Sequence, residues 1–535
     1  MKKTFIIVLI LSVSGVYTYS QHTHMYYNPF DYNQAEAGLN NLDVSFHTAV
    51  KPWRIGEIKQ HLDYDSLRYI PNYNSKFARS FVGRRLFSED LLYLETKHVQ
   101  LYANPAFNFQ LGRNFLPGQL TYFNTRGFHA RGNITKMLSF YTEFYENQAA
   151  FADYITDFID SNRVIPGQGR TKQFKEASYD YAFAGGYINF TPVKYISFEL
   201  GHGKHFIGDG YRSLLLSDNS FNYPYFKIST QVWKIKYVNI WAEFQDNTPS
   251  VNADNLNYKK YGTFHYLSIQ PVRYLTLGFF ESIIWSGSDS TGNTRGFDVN
   301  YINPIIFYRP IEYGLGSADN ALMGFTLQIR PHDNHQIYAQ ILLDEFLLQY
   351  VLGNPQKGWR ANKQGFQIGY KYFHMFGLRN LNFQTEFNYV RPYTYQHYRI
   401  NSNYGHYNQA LAHPLGANFW EAIGILRYQN KRITAEARLS YAQHGTDTGG
   451  VNYGGNVFVQ DINHPNEFGN YVGQGMKEQI WFGELRGGYI INPTYDLRVE
   501  MGMQFRSLSS AIRDDQTFVI YFGLRTRIPN FYMDY

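Results

Sequence analysis

The chain has 535 residues, no cysteine, 18% aromatic residues and a formal charge of +6. Without cysteine it cannot use disulfides, so a chain of this length must be held by one large hydrogen-bonded framework. The small positive excess is scattered rather than clustered, which gives no reason to invoke a nucleic-acid partner.

Met1-Lys2-Lys3 is followed by an apolar run from Phe5 to Val13, then by small residues at Thr18 and Ser20. This reads as a secretory signal peptide over residues 1–20. The apolar run is too short for an uncleaved membrane anchor. No cysteine follows it, which excludes a lipid-anchored precursor. No later stretch is long and apolar enough for a transmembrane helix. Export, high aromatic content and a polar mean hydropathy of −0.41 together describe an outer-membrane β-barrel, whose strands alternate between lipid and lumen. A soluble secreted β-protein would share the alternation, so composition does not separate the two.

Residues 21–94 do not alternate convincingly. His47 to Trp53 ends a short extended piece at Pro52. Phe77, Phe81 and Leu86 lie on helical spacing, and Ser88-Glu89-Asp90 suits a further helix start. The reading is a small, partly helical N-terminal plug segment over 21–94. Its basic residues Lys76, Arg79, Arg84 and Arg85 suit either a solvated face or anionic glycan and lipid head groups.

From residue 95 onward the chain becomes a series of two-residue alternations. Leu138, Phe140 and Phe144 oppose Ser139, Tyr141 and Glu143; Ile433, Ala435, Ala437, Leu439 and Tyr441 oppose Thr434, Glu436, Arg438 and Ser440. Runs of this kind suit tilted membrane strands, and counting them predicts an all-β, antiparallel transmembrane barrel of about 18 strands over 95–535. Short connections alternate strictly with long ones, as tight periplasmic turns alternate with long outer loops. Both termini then lie in the periplasm, with the aromatic C-terminus Phe531 to Tyr535 of the kind common in barrels of this class.

One connection stands out. Gly201 to Tyr225 reads GHGKHFIGDGYRSLLLSDNSFNYPY, and strand parity places it on the outer side. Leu214-Leu215-Leu216 should not sit in water, so the loop 204–226 is expected to fold into the barrel mouth and pack its leucines on the inner wall. Its glycines follow no strand-to-helix phosphate-loop pattern. Polar side chains that grip sugars are available in His202, Lys204, His205, Asp209, Arg212, Asp218 and Asn219. Aromatic faces are available in Tyr211, Tyr223, Tyr225 and Trp233. An acidic polysaccharide would favour Arg212 and Lys204. Equally, Arg212 paired with Asp209 or Asp218 would simply fix the loop, because lumen charges usually pair.

This stretch resembles the Wzi-like family of capsule-assembly outer-membrane proteins, most closely the branch labelled gliding-motility protein RemB. Two further blocks carry the resemblance: Tyr301-Ile302-Asn303-Pro304 with Ile311 to Gly324, and Tyr338 to Phe346. The resemblance implies an 18-stranded barrel with a helical periplasmic plug in the outer membrane. It further implies a non-enzymatic role in binding or assembling surface polysaccharide (capsule or exopolysaccharide), with capsule-export or motility proteins and outer-membrane lipid as partners and no cofactor.

Other chemistries are weaker. Asp344-Glu345 and Asp319-Asn320 offer oxygen ligands for a hard cation, but a lumen salt-bridge network explains them as well. His202 and His205 lack a third zinc ligand at a known spacing. A hydrolase would need Ser213 or Ser217 against one of those histidines, and no nucleophile elbow surrounds either serine. An open porin is the remaining alternative.

Overall fold

The computed structural model describes residues 23–25, 29–64, 73, 75–175, 177–246, 257–289, 293–305, 307–317, 319–345, 357–528 and 531–535. The proposed signal peptide lies outside the described residues. Eighteen antiparallel strands close into a single barrel. They are β1 Val99–Asn114, β2 Gln119–Ile134, β3 Leu138–Ala150, β4 Ser178–Val193, β5 Ile196–Gly203, β6 Tyr223–Val232, β7 Ile235–Asp246, β8 Tyr258–Val272 and β9 Leu275–Ser286. The second half comprises β10 Asn320–His332, β11 His335–Glu345, β12 Lys363–Tyr372, β13 Leu381–Val390, β14 Phe419–Asn430, β15 Ile433–Thr446, β16 Met476–Asn492, β17 Leu497–Ser509 and β18 Asp514–Arg525. Each strand pairs with its sequence neighbour, and β18 closes the ring on β1 with Val519 opposite Asn114 and Arg525 opposite Asn108.

The wall is inside-out relative to a soluble protein. On β15, Ile433 and Leu439 are each 57% exposed, whereas Thr434, Glu436 and Ser440 are buried. The same inversion holds for Leu111, Leu200, Leu485, Met501 and Phe522, all exposed on the outer surface. Such a continuous apolar band is stable only against hydrocarbon, with polar side chains turned to the lumen. Lumen charges are paired: Glu436 holds Arg427 at 2.6 Å and Arg486 at 2.7 Å, and Arg438 meets Glu484 at 2.6 Å.

Short connections at one rim join β2 to β3, β4 to β5, β6 to β7 and so on to β16 and β17. This is the periplasmic end of an outer-membrane barrel. The opposite rim does not carry long loops throughout. The connections 115–118 and 510–513 are also tight, so the strict short–long alternation fails on either side of the β18–β1 closure. The helix expected from Ser88 is absent; helices Lys76–Arg79 and Phe81–Phe87 are followed by a short strand, Leu92–Glu95, paired to β1.

An unanticipated helix, Pro29–Leu39, lies within the barrel, with Tyr32, Asn33, Ala35, Glu36 and Leu39 buried. It and the following chain are tied to the lumen wall by ion pairs. Glu36 meets Lys371 at 2.5 Å, Glu57 meets Lys236 at 2.9 Å, and Asp31 meets Arg527 at 3.0 Å. Arg330 adds hydrogen bonds to the Leu39, Asn41 and Val44 carbonyls at 3.1–3.2 Å.

The C-terminus departs from the sequence expectation. After Arg525 the chain does not end at the periplasmic rim but turns into the lumen, where Tyr532 and Asp534 are buried. Its destination is the folded-in loop described below, where arginines neutralise Asp534.

The inverted wall makes a direct prediction. Leu439→Lys, mid-strand on the outer face, should cost about 2–4 kcal/mol in denaturant unfolding from phospholipid vesicles, the cost of a cation near the bilayer midplane. Leu439→Met should be near neutral. Equal stability of both variants would mean that this face does not meet lipid.

Candidate functional site

The loop joining β5 to β6 is drawn wholly into the lumen. Phe206 and Ile207 pair with Lys51 and Val50 of the N-terminal segment, and Ile207 bridges Leu216. Gly208 then turns at a φ of +149°, a left-handed conformation that favours glycine. A Cβ there would lie 2.1 Å from the Gln340 amide nitrogen, so a substitution would strain the backbone and push that side chain aside.

Leu214, Leu215 and Leu216 are completely buried. Burying a loop backbone requires partners for its amides and carbonyls. The wall and a neighbouring loop supply them. Gln340 accepts from the Leu214 amide at 2.8 Å, Tyr395 donates to the Leu214 carbonyl at 2.7 Å, and Tyr404 donates to the Leu215 carbonyl at 2.6 Å. Glu386 accepts from the Tyr211 and Arg212 amides at 2.7 and 3.1 Å.

Arg212 forms the electrostatic centre. Its guanidinium meets Glu421 of β14 and the Asp534 carboxylate of the C-terminal tail, each at 3.1 Å. The expected partners Asp209 and Asp218 are not used. Asp209 instead accepts from Thr48 at 2.5 Å, and Asp218 accepts from Tyr532 at 2.8 Å. Tyr211 donates to Asp534 at 2.8 Å, and Arg438 pairs with the same carboxylate at 2.9 Å. Burial pushes the Asp534 carboxyl upward, but Arg212 and Arg438 outweigh it and hold the group below its ordinary value.

The remaining candidates are also occupied. Lys204 donates to the Gly167 and Asp218 carbonyls at 2.7 and 3.1 Å, and burial lowers its ammonium to about 8. His205 faces Tyr223 at 3.3 Å and Lys227 at 3.4 Å. His202 reaches the Ala184 carbonyl at 3.1 Å, and Asn219 donates to the Ala410 carbonyl at 3.0 Å. Tyr223 and Tyr225 are buried, and Trp233 sits in a periplasmic turn, 77% exposed and remote from the other candidates. His202, Lys204, His205 and Asp218 line a cavity of about 150 Å³ on the side facing the N-terminal segment, with Lys51, Arg131 and Glu143.

The alternative chemistries find no assembled site among the described residues. Ser213 donates to the Ile207 carbonyl at 2.5 Å and Ser217 to the Ala412 carbonyl, so both hydroxyls serve backbone rather than a histidine. Asp319 pairs with Arg295 at 2.6 Å, and Glu345 with Lys363 at 3.4 Å. No cluster of three or more metal-ligating side chains occurs among the described residues.

A larger cavity, about 430 Å³, lies at the outer mouth between loops 151–177, 391–418 and 447–475. Asn162, Asn219, Asn408, Gln409 and Asn456 line it with neutral amides beside the Asp447 carboxyl, with Phe158, Phe458 and Tyr535 as aromatic surfaces. The buried His444 Nε2 and the Tyr535 hydroxyl, both in this lining, have no hydrogen-bond partner among the described residues. Of the residues nominated from sequence, only Asn219 faces this cleft. The others escaped notice because three distant loops build it; the one local hint was the dense Asn, His and Tyr run from Asn401 to His413.

No family model matches the sequence, and no curated protein sequence matches it. Among solved structures, the chain is similar to Wzi, an outer-membrane protein involved in group 1 capsule assembly in Escherichia coli and described as a carbohydrate-binding β-barrel. The TM-score is 0.55 at 13% identity, covering 94% of this chain and 100% of that one. OccAB2 of Acinetobacter baumannii aligns with a TM-score of 0.42 at 10% identity, over 80% of this chain and 97% of that one. OpdK of Pseudomonas aeruginosa aligns at 0.43 and 8%, over 81% and 99%. The likeness to Wzi is one of fold, and the chain is an outer-membrane β-barrel.

Arg212→Ala should destabilise the folded barrel by about 3 kcal/mol, the low end of the cost of breaking a buried pair, because Glu421 and Asp534 lose their shared cation and keep only His413 and Arg438. Limited proteolysis should then release the C-terminal tail. An unchanged unfolding midpoint with a protected tail would show that Arg212 does not hold loop and tail together.

Proposed function

We propose that this barrel binds surface polysaccharide at its outer mouth, and so serves capsule or exopolysaccharide attachment without enzymatic turnover. The observation that carries the reading is the cleft between the three outer loops. Neutral amides match sugar hydroxyls as both donors and acceptors, and aromatic faces cover the apolar side of a pyranose. The orphaned His444 Nε2 and Tyr535 hydroxyl are buried polar groups that a ligand hydroxyl would satisfy. Asn456 is exposed and Phe458 half-buried, so an incoming chain can reach both.

In this reading Asp209, Tyr211 and Arg212 hold the inner loop, and Asn219 alone of the eleven residues nominated from sequence meets glycan. Lys204, His202, His205 and Asp218 border the inner cavity and serve its packing. The fold shared with Wzi supports the polysaccharide class, and the sequence resemblance to RemB supports a contribution to gliding motility. Capsule-export or motility proteins are the partners this role calls for.

The test uses purified barrel in detergent and polysaccharide extracted from the same cells. Phe458→Ala and Asn456→Ala should each weaken binding roughly fivefold, the equivalent of one contact of about 1 kcal/mol, with folding of each variant confirmed by heat-dependent gel mobility. Glu143→Gln, on the wall of the inner cavity, should bind as wild type. Undiminished binding by the Phe458→Ala, Asn456→Ala double variant would overturn the site.

A further inference from the structure

One apolar surface does not belong to the barrel wall or to the lumen. Residues 75–95 run along the outside of the periplasmic rim as the two short helices and the strand Leu92–Glu95. Phe81 is 66%, Val82 61% and Leu92 65% exposed, and Phe77, Leu86 and Leu94 are exposed beside them. An uncovered apolar surface of this size in a fixed position calls for a covering partner.

The segment is firmly held. Asn492 donates to the Arg85 and Glu89 carbonyls, both at 3.0 Å, and Thr494 donates to the Ser88 carbonyl at 3.0 Å. Ser75 and Ser80 cap the two helices by accepting from the Ala78 and Gly83 amides, each at 3.1 Å. The exposed residues are therefore presented by a built element.

Its position identifies the occupant. Leu92 pairs with Ala103 and Leu94 with Leu101 on β1. Those β1 positions share the alternation of Phe109 and Leu111, which are exposed on the outer face, whereas Asn104 and Asn108 turn inward and are buried. Leu92 and Leu94 thus extend the lipid-facing surface in register, below the point where β18 stops pairing with β1. On the other flank, Tyr73 donates to the hydroxyl of Tyr489 at 3.2 Å, itself an exposed wall residue opposite Ile433. The segment also mixes aromatics with cations as interfacial segments do: Arg85 lies 4.2 Å from the Tyr93 ring centroid, and Lys76 and Arg79 are exposed.

We propose that residues 75–95 form an interfacial foot that lies in the inner leaflet of the outer membrane. Phe77, Phe81, Val82 and Leu86 enter the acyl boundary, and Lys76 and Arg79 stay at phospholipid head-group level. The foot continues the barrel's lipid contact beneath the β18–β1 closure and fixes the barrel's depth in the bilayer. Its occupant is phospholipid, not a periplasmic protein.

The cysteine-free chain makes the test clean. Phe81→Cys, Val82→Cys and Leu92→Cys are made singly in the full chain, labelled with a nitroxide and reconstituted in phosphatidylethanolamine–phosphatidylglycerol vesicles. Collision with oxygen, which partitions into lipid, is compared with collision with a water-soluble nickel chelate. The oxygen-to-nickel ratio at all three sites should stand several-fold above that of Ser161→Cys on an outer loop and near that of Leu111→Cys on the wall. Circular dichroism and heat-dependent gel mobility confirm folding of each variant. Ratios equal to that of Ser161→Cys would overturn the proposal. So would nickel access that is lost only when periplasmic extract is added, which would assign the surface to a protein.

Discussion

A single buried ion cluster organises the interior. Arg212 comes from the loop between β5 and β6, Glu421 from the wall strand β14, and Asp534 from the C-terminal tail. Each of these side chains is almost completely shielded from water. Taking one such charge out of water alone costs several kcal/mol, so each needs a partner there, with Arg438 and His413 completing the cluster. The cluster therefore makes three distant parts of the chain conditional on one another. The returning tail supplies a counter-charge to the loop's arginine, and Arg212 joins Arg438 of the wall in receiving Asp534.

The rest of the interior follows the same rule on a larger scale. The outer face takes the apolar side chains, so the lumen inherits the charged ones, and a lumen full of charges must neutralise itself. The N-terminal segment takes part through Glu36 with Lys371 and Glu57 with Lys236, and the tail through Asp534. Buried aromatic hydroxyls complete the work: Tyr395 and Tyr404 serve the backbone of the leucine triplet, so an apolar loop can cross a polar lumen without orphaned carbonyls. The result is a barrel whose middle is packed.

What could be read from the sequence reflects where the environment is periodic. Strands such as Ile433–Thr446 were legible because lipid and lumen impose opposite polarity on alternate residues. The helix Pro29–Leu39 was not legible, because polar Asn33 and Glu36 are buried alongside Tyr32 and Leu39, leaving no amphipathic stripe. The tight turns at 115–118 and 510–513 broke a regularity inferred from the other loops. Leu214 to Leu216 were legible as surface that water would not solvate, but the partners of Arg212 were not. Glu421 and Asp534 lie 209 and 322 residues away in sequence, beyond the reach of local spacing. The cleft was hidden for the same reason, since Phe158, Asn408 and Phe458 belong to separate loops.

The central claim is that the inward loop, the N-terminal segment and the returning tail close the lumen, so that ligands are met at the mouth rather than passed through. Planar-bilayer recording of the purified wild-type barrel tests this most directly. The account predicts insertion without stable conductance. A steady, ohmic open-channel current from the intact wild-type chain would contradict it.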